Sequence, residues 1–279
     1  MTRKIYLTLL ILFIAVLFPA GSHAADRLKL SSTTSTDNTG LLAYILPIFE
    51  EKTGIRVDVI AVGTGRALKL AENGDVDVTL VHAPAKERSF MYAGYGVNRR
   101  PVMANYFIIV GPGDDPAGIT GAGNAVEAFM MIREAQAPFI SRGDESGTHT
   151  RELAIWKAAD SNPGGARWYL ETGKGMGESL AMADEKRGYT LSDQGSFLKY
   201  SDKVELAPLF TGRSKLLYNP YSIIAVNPSR HPHVNYAGAM KLIEFMTSPE
   251  GQKLIGDFTD DSGNVLFEPL VIKIPSNAQ

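Results

Sequence analysis

The chain has 279 residues, with 28 basic and 30 acidic side chains, a formal charge of −2 and no cysteine. A near balance of charge without a basic tract excludes nucleic acid or an anionic lipid surface as the main partner. The absence of cysteine excludes disulfide stapling, thiol catalysis and cysteine-ligated metals, so the fold has to rest on a buried core.

Arg3 and Lys4 precede an apolar run from Ile5 to Phe18, and Ser22-His23-Ala24 sets small residues at the two positions a signal peptidase reads. This predicts a signal peptide over 1–24, cleaved after Ala24, and an exported, periplasmic, soluble mature chain of about 255 residues with a charge of −4. A retained membrane anchor is the alternative, because the run is close to the lower length limit for a spanning helix. Without cysteine, the lipoprotein route is closed.

Next comes "RLKLSSTTST", a short apolar strand ending in hydroxyls. Leu41, Leu42, Ile45, Leu46 and Phe49 form one helical stripe that Gly54 is placed to stop, and Pro47 inside it predicts a kink or a boundary. "RVDVIAVGTG" reads as a strand, "RALKLAENGD" as a helix ending at Gly74, "VDVTLVHAP" as a strand and "AKERSFMYAGYG" as a short helix. An apolar run from Val102 meets a Gly/Pro breaker at 111–118. A second unit follows: a helix around Ala122–Gln136, the strand "PFIS", a helix from about Thr148 to Ala159, another around Gly177–Gly188, and strands near Tyr189–Leu191 and Val204–Pro208. "LLYNPYSIIAVNP" (216–228) mirrors the earlier apolar run, and two helices divided at Ser248-Pro249 close the chain.

The alternation predicts an α/β protein of two lobes, each a mostly parallel sheet flanked by helices, joined by two crossover hinge segments. Residues 25–110 and 219–279 would form lobe I and 111–218 lobe II. Ligand entering the crevice lets such lobes close on it.

Three predicted strand-to-helix turns share one chemistry: "SSTTSTDNTG" (31–40), "VGTGRAL" (62–68) and "SRGDESGTHTRE" (141–152). Free N–H groups of a helix's first turn favour an anion, hydroxyls add neutral donors, and Arg142 supplies a fork of donors matched to an oxyanion. Each cluster alone reads first as a helix cap. "GTGRAL" lacks the third glycine of a dinucleotide fingerprint. All three fall at strand ends, which in such a lobe face one crevice and suit a small tetrahedral dianion.

"SRGDESGTH" resembles the Arg-x-Asp-x-Ser-Gly-Thr loop of phosphate-binding periplasmic proteins. "TTSTDNTGLL", "IAVGTGRALKLAENGDVDVTLVHAPAKE" and "GYGVNRRPVMANYFIIVGPGDDPAGI" look more specifically like the tungstate-binding component of tungstate ABC transporters, and "FMTSPEGQKLI" is similar to the closing helices of type II solute-binding proteins. The resemblance spans nearly the whole mature chain. It implies a type II periplasmic-binding fold, monomeric and without cofactor or bound metal ion, that holds tungstate between its lobes and delivers it to a membrane permease. Carried over residue by residue, it points to Thr34, Ser35, Thr64, Ser141, Arg142, Ser146, Gly147 and Thr148 as ligand-binding. Asp144 would repel a fully deprotonated tungstate, so it is expected to face Arg142 or backbone and hold the loop in shape. His149 reads as a donor or a local cap. Arg66, Arg99 and Arg100 read as cleft-rim or solvated cations, and His231-Pro-His233 as a surface turn.

Molybdate, sulfate or phosphate are the alternative ligands, since the chemistry of the turns specifies only a tetrahedral dianion. Ser146, His149 and Asp144 superficially suggest a serine hydrolase. The G-x-S-x-G elbow is absent, however, and the expectation is a binding protein without enzymatic activity.

Overall fold

A computed structural model describes residues 26–260 and 263–271; the predicted signal peptide lies outside them. In chain order the elements are β1 (Arg27–Thr33), α1 (Thr34–Asn38), α2 (Leu41–Thr53), β2 (Arg56–Val62), α3 (Thr64–Asn73), β3 (Val78–Val81), α4 (Pro84–Tyr92) and β4 (Gly96–Pro112). Then come α5 (Ala125–Glu134), β5 (Phe139–Ser141), α6 (Gly147–Ala158), β6 (Tyr169–Glu171), α7 (Met176–Glu185), β7 (Tyr189–Asp193) and α8 (Gln194–Tyr200). The chain ends with β8 (Leu206–Phe210), β9 (Tyr218–Val226), α9 (Tyr236–Thr247), α10 (Pro249–Asp257) and β10 (Glu268–Pro269). Among the described residues no helix is long and apolar enough to cross a membrane.

The strands form one mixed sheet in the order β2-β1-β3-β9-β4-β7-β5-β6, with β8 and β10 also paired to β4. Its flanks are parallel: β1 runs with β2 and β3, and β5 with β6 and β7. The centre is not. β4 and β9 run antiparallel to each other, and each is antiparallel to its outer neighbour. This ribbon is longer than its apolar core predicts, because β4 starts at Gly96 and carries Arg99, Arg100 and Pro101 through register shifts between Val97 and Met103. Bulges let a strand absorb a proline that a regular ladder would reject.

The buried apolar side chains divide along the ribbon. Leu30, Phe49, Val78, Ile223 and Leu242 belong to one core, while Phe107, Phe129, Phe139, Trp156 and Leu217 belong to another. In the second, the rings of Phe129, Phe139 and Trp156 sit 4.5–5.2 Å apart, and such aromatic pairs add about 0.5–1.5 kcal/mol each beyond area burial.

The helix signals act locally as expected. The stripe Leu41, Leu42, Ile45, Leu46 and Phe49 is buried, α2 continues through Pro47, and Gly54 ends it in the left-handed region at φ 70°. Gly74 ends α3 at φ 79°, and a Cβ there would lie 2.6 Å from the His231 ring. The His231 and His233 rings place Nε2 2.9 Å from the carbonyls of Glu72 and Gly74, so this pair closes the end of α3. Ser248 caps α10 through the Gly251 N–H at 3.1 Å.

Candidate anion-binding site

The first junction is the end of β1. Thr33 stays extended and caps α1, its Oγ1 accepting the Thr36 N–H at 3.2 Å and contacting the Thr36 and Ser35 hydroxyls at 2.7 and 3.0 Å. Thr34 is exposed at the first helical position, and Ser35 is half-buried.

At the second junction, Gly63 leads from β2 into α3 without a side-chain cap, so the first-turn N–H groups have no side-chain acceptor. Thr64 opens the helix, is buried, and has no side-chain hydrogen bond within the described residues. Arg66 is exposed.

The third junction is the most constrained. Gly143 (φ 58°) and Glu145 (φ 57°) are both left-handed, and a Cβ on Gly143 would stand 2.9 Å from Glu171 Cβ. Ser146 caps α6 by accepting the His149 N–H at 3.2 Å, while His149 Nδ1 accepts the Glu145 N–H at 3.1 Å. His149 is therefore a local loop fastener. Arg142 is largely buried and pairs through Nη2 with Asp144, whose other oxygen accepts the Ser146 N–H at 3.1 Å. Burial pushes the Asp144 carboxyl up, but the Ser146 hydrogen bonds and the Arg142 charge outweigh it and hold it below the usual range. Arg142 Nε is buried with no partner among the described residues. Thr148 is buried, and its hydroxyl too has no partner there.

Ser141 is arranged differently. Its hydroxyl donates to Glu152 Oε2 at 2.7 Å and accepts the Gly143 N–H at 3.2 Å, so it braces the loop from behind. Glu152 also accepts from Tyr169 OH at 2.7 Å and Trp156 Nε1 at 3.2 Å, and burial lifts its carboxyl to about 7 against those bonds.

His82, just past β3, shows that the three junctions meet. Its Nε2 lies 3.2 Å from Thr33 Oγ1 and 3.3 Å from Ser35 Oγ, at the first junction. A Cβ built on Gly147, at the third, would stand 3.5 Å from His82 Cε1 and 3.8 Å from Thr64 Oγ1, at the second. Donors from three separate stretches thus surround a volume of a few ångströms.

Four features of this region were not read from the sequence. His82 and Arg151 give no local signal; Arg151 donates to the Tyr218 carbonyl at 3.1 Å, has no carboxylate partner among the described residues, and is pulled down in pKa by burial. α8 was missed outright. It adds a fourth junction in which Asp193 caps the helix through Oδ1 at 2.9 Å, and a Cβ on Gly195 would meet Thr39 Cγ2 at 2.4 Å. Finally, Lys86 on α4 donates to the Glu145 carbonyl at 3.0 Å, tying α4 to the third junction. Of the remaining cations, Arg99 pairs with buried Glu87 at 2.8 Å, and Arg100 is exposed.

A two-lobed α/β body with donor-rich strand ends meeting at one crevice is the architecture of a solute-binding protein. The chain belongs to the PBP superfamily, whose domain profile matches residues 19–250. It is similar to a solved structure described as the tungstate ABC transporter from Geobacter sulfurreducens, with 55% identity and a TM-score of 0.78 over 83% of this chain and 98% of that one. The tungstate-binding protein TupA of Desulfovibrio alaskensis G20 shares 45% identity at a TM-score of 0.79, over 88% of this chain and 99% of that one. The tungstate-binding protein TupA of Peptoclostridium acidaminophilum is 41% identical over 90% of this chain and 88% of its own length.

Proposed function

We propose that the chain is an extracytoplasmic solute-binding protein that captures tungstate, WO4 2−, between its lobes and delivers it to the membrane permease of an ABC transporter. The carrying observation is the meeting of the three junctions around His82, with unpartnered donors at Thr64, Thr148 and Arg142 Nε. Ser35, Ser146 and the N–H groups at Gly147 and Thr34 complete the proposed set, and Ser141 supports it through Glu152. Arg142 and the Ser146 N–H hold the Asp144 carboxylate within the loop, which supports a bracing role for it rather than that of acceptor for a ligand proton. That favours a fully deprotonated ligand over hydrogen phosphate.

The magnitude suffices. Each hydrogen bond to a charged group contributes roughly 1.5–3 kcal/mol, so seven or eight give a gross ~10–20 kcal/mol. Nanomolar affinity requires about 12 kcal/mol net. The proposed chemistry is capture and release by a monomer in the periplasm, with no bond made or broken.

Titration calorimetry of the mature chain against tungstate, molybdate, sulfate and phosphate tests the reading. Tungstate is expected to bind tightest and phosphate and sulfate poorly; equal or tighter sulfate or phosphate binding refutes it.

A further inference from the structure

We propose that His82 is a positioning residue of this pocket: uncharged while the pocket is empty, it takes a solvent proton on Nε2 when the dianion binds and turns the neighbouring hydroxyl protons toward the ligand. The inference rests on the proposed capture of an oxyanion between the lobes.

The geometry fixes the empty-state tautomer. His82 is 5% exposed, and its Nδ1 lies 2.9 Å from Asn219 Oδ1. The Asn219 amide is oriented by donating through Nδ2 to Asn105 Oδ1 at 2.8 Å and to Tyr221 OH at 3.1 Å. Its oxygen therefore faces the ring, and Nδ1 carries the hydrogen. Nε2 is then a bare acceptor at hydrogen-bond distance from both Thr33 Oγ1 and Ser35 Oγ. In that state a hydroxyl of the first junction points its proton at the imidazole, and that proton is lost to an anion. Protonation reverses the bond: Nε2–H donates to the hydroxyl oxygen, and the hydroxyl proton is free to turn into the pocket.

The charged and titratable surroundings are arranged for such a change. The Tyr221 ring stacks on His82 at 4.6 Å, and burial holds its phenol neutral. From lobe II, Asp193 favours the charged ring, while Arg142 and Arg151 oppose it. Burial keeps the ring below its ordinary range in the empty protein. A dianion beside Gly147 offsets the two arginines and supplies the missing counter-charge. The proton comes from solvent and goes to Nε2, so the site gains up to one positive charge per dianion. The same ring joins the pocket to the hinge, because Asn219 and Asn105 face each other across β9 and β4.

The test is tungstate calorimetry on the mature chain in two non-phosphate buffers of different ionisation enthalpy, for wild type and His82→Gln. Wild type is expected to take up a fraction of a proton per anion, and its Kd to rise about threefold or more between about pH 6.5 and 8.5. His82→Gln should lose both the buffer dependence and the pH dependence while still binding. Tight wild-type binding with equal heats in both buffers overturns the inference and leaves the capture function standing, whereas absence of any tungstate binding sinks that function itself. Uptake that survives in His82→Gln puts the proton on another group, Glu152 first, and also overturns it. Should His82→Gln fail to fold, ring-nitrogen NMR of the wild type decides. The His82 signals must move from the Nδ1–H tautomer to imidazolium on adding tungstate, and an unchanged tautomer refutes the proposal.

Discussion

Gly147→Ala places a methyl group where the three junctions meet. The new Cβ would stand 3.5 Å from His82 Cε1 and 3.8 Å from Thr64 Oγ1, ordinary van der Waals distances, so the unliganded fold has room for it. Gly147 is the first residue of α6, where alanine is at least as compatible with helix as glycine, so unliganded stability should stay level or rise by up to about 0.5–1 kcal/mol. An oxyanion held by the Gly147 turn and by Thr64 would find the methyl in its place. Losing one or two hydrogen bonds to a charged ligand, at roughly 1.5–3 kcal/mol each, weakens binding by about ten- to ten-thousand-fold. Calorimetry reports the affinity, and a thermal melt without ligand confirms the fold. A tungstate Kd within about twofold of wild type, with the melt unchanged, would show that the anion does not sit in this gap and would refute the convergence argument.

Three further substitutions separate ligand binding from scaffold. Arg142→Ala removes the unpartnered Nε and frees Asp144 to repel the dianion, so tungstate affinity should fall at least about tenfold by calorimetry. Glu152 has a folded-state pKa of about 7, above the ordinary 4.5, so its contribution to stability is complete below 4.5 and is lost as pH rises through 7. Urea unfolding should show wild type losing up to roughly 3 kcal/mol from this group between acid and mildly basic pH, and Glu152→Gln should flatten that loss. Arg99→Ala leaves the Glu87 carboxylate buried without its cation and should cost about 3 kcal/mol of stability in a denaturant melt. Glu87 also accepts the Ala83 N–H at 2.8 Å, next to His82, so the tungstate Kd should change less than in Arg142→Ala but need not stay level.

What could be read in the sequence was what is local. Hydroxyls before a helix, a glycine needing positive φ and a buried stripe every third or fourth residue leave marks within ten residues, and the turns at 31–40, 62–68 and 141–152 were found that way. The resemblance and the repulsion expected between Asp144 and a deprotonated ligand pointed Asp144 at Arg142 or at backbone, and it pairs with both. The Ser141 hydroxyl bond could not be read locally, since nothing near it in sequence reveals that Glu152, a full turn into α6, accepts from it. His82 was hidden inside "TLVHAP", where a histidine beside a strand has no signature until β9 supplies Asn219. α8 escaped because "DQGSFLKY" is short and its only strong mark, the Asp193 cap, serves equally well as a turn. The antiparallel ribbon was concealed by the charged stretch that opens β4, which only pairing with β9 turns into strand.

The charges around the pocket nearly cancel, and that determines how it can select. Arg142 and Arg151 bring two cations, Asp144 and Asp193 two carboxylates, and burial pushes the Glu152 carboxyl up toward its neutral form. No formal excess of positive charge waits for the ligand, so attraction has to come from oriented dipoles: threonine and serine hydroxyls, first-turn N–H groups and one guanidinium arm. Dipoles of this kind act over hydrogen-bond distances and are little screened by salt, whereas exposed ion pairs are screened over ~8–10 Å. They also respond to where each oxygen lies. Sulfate carries the same charge as tungstate on a smaller tetrahedron, and a net electrostatic field could not tell the two apart. A ring of fixed donors can, because donors set for the oxygens of one tetrahedron meet those of a smaller one at longer distances and poorer angles. Under the proposed capture function, selectivity by span, with protonation of His82 supplying charge only once the span is filled, would let a pocket with little net charge hold one dianion tightly and reject another.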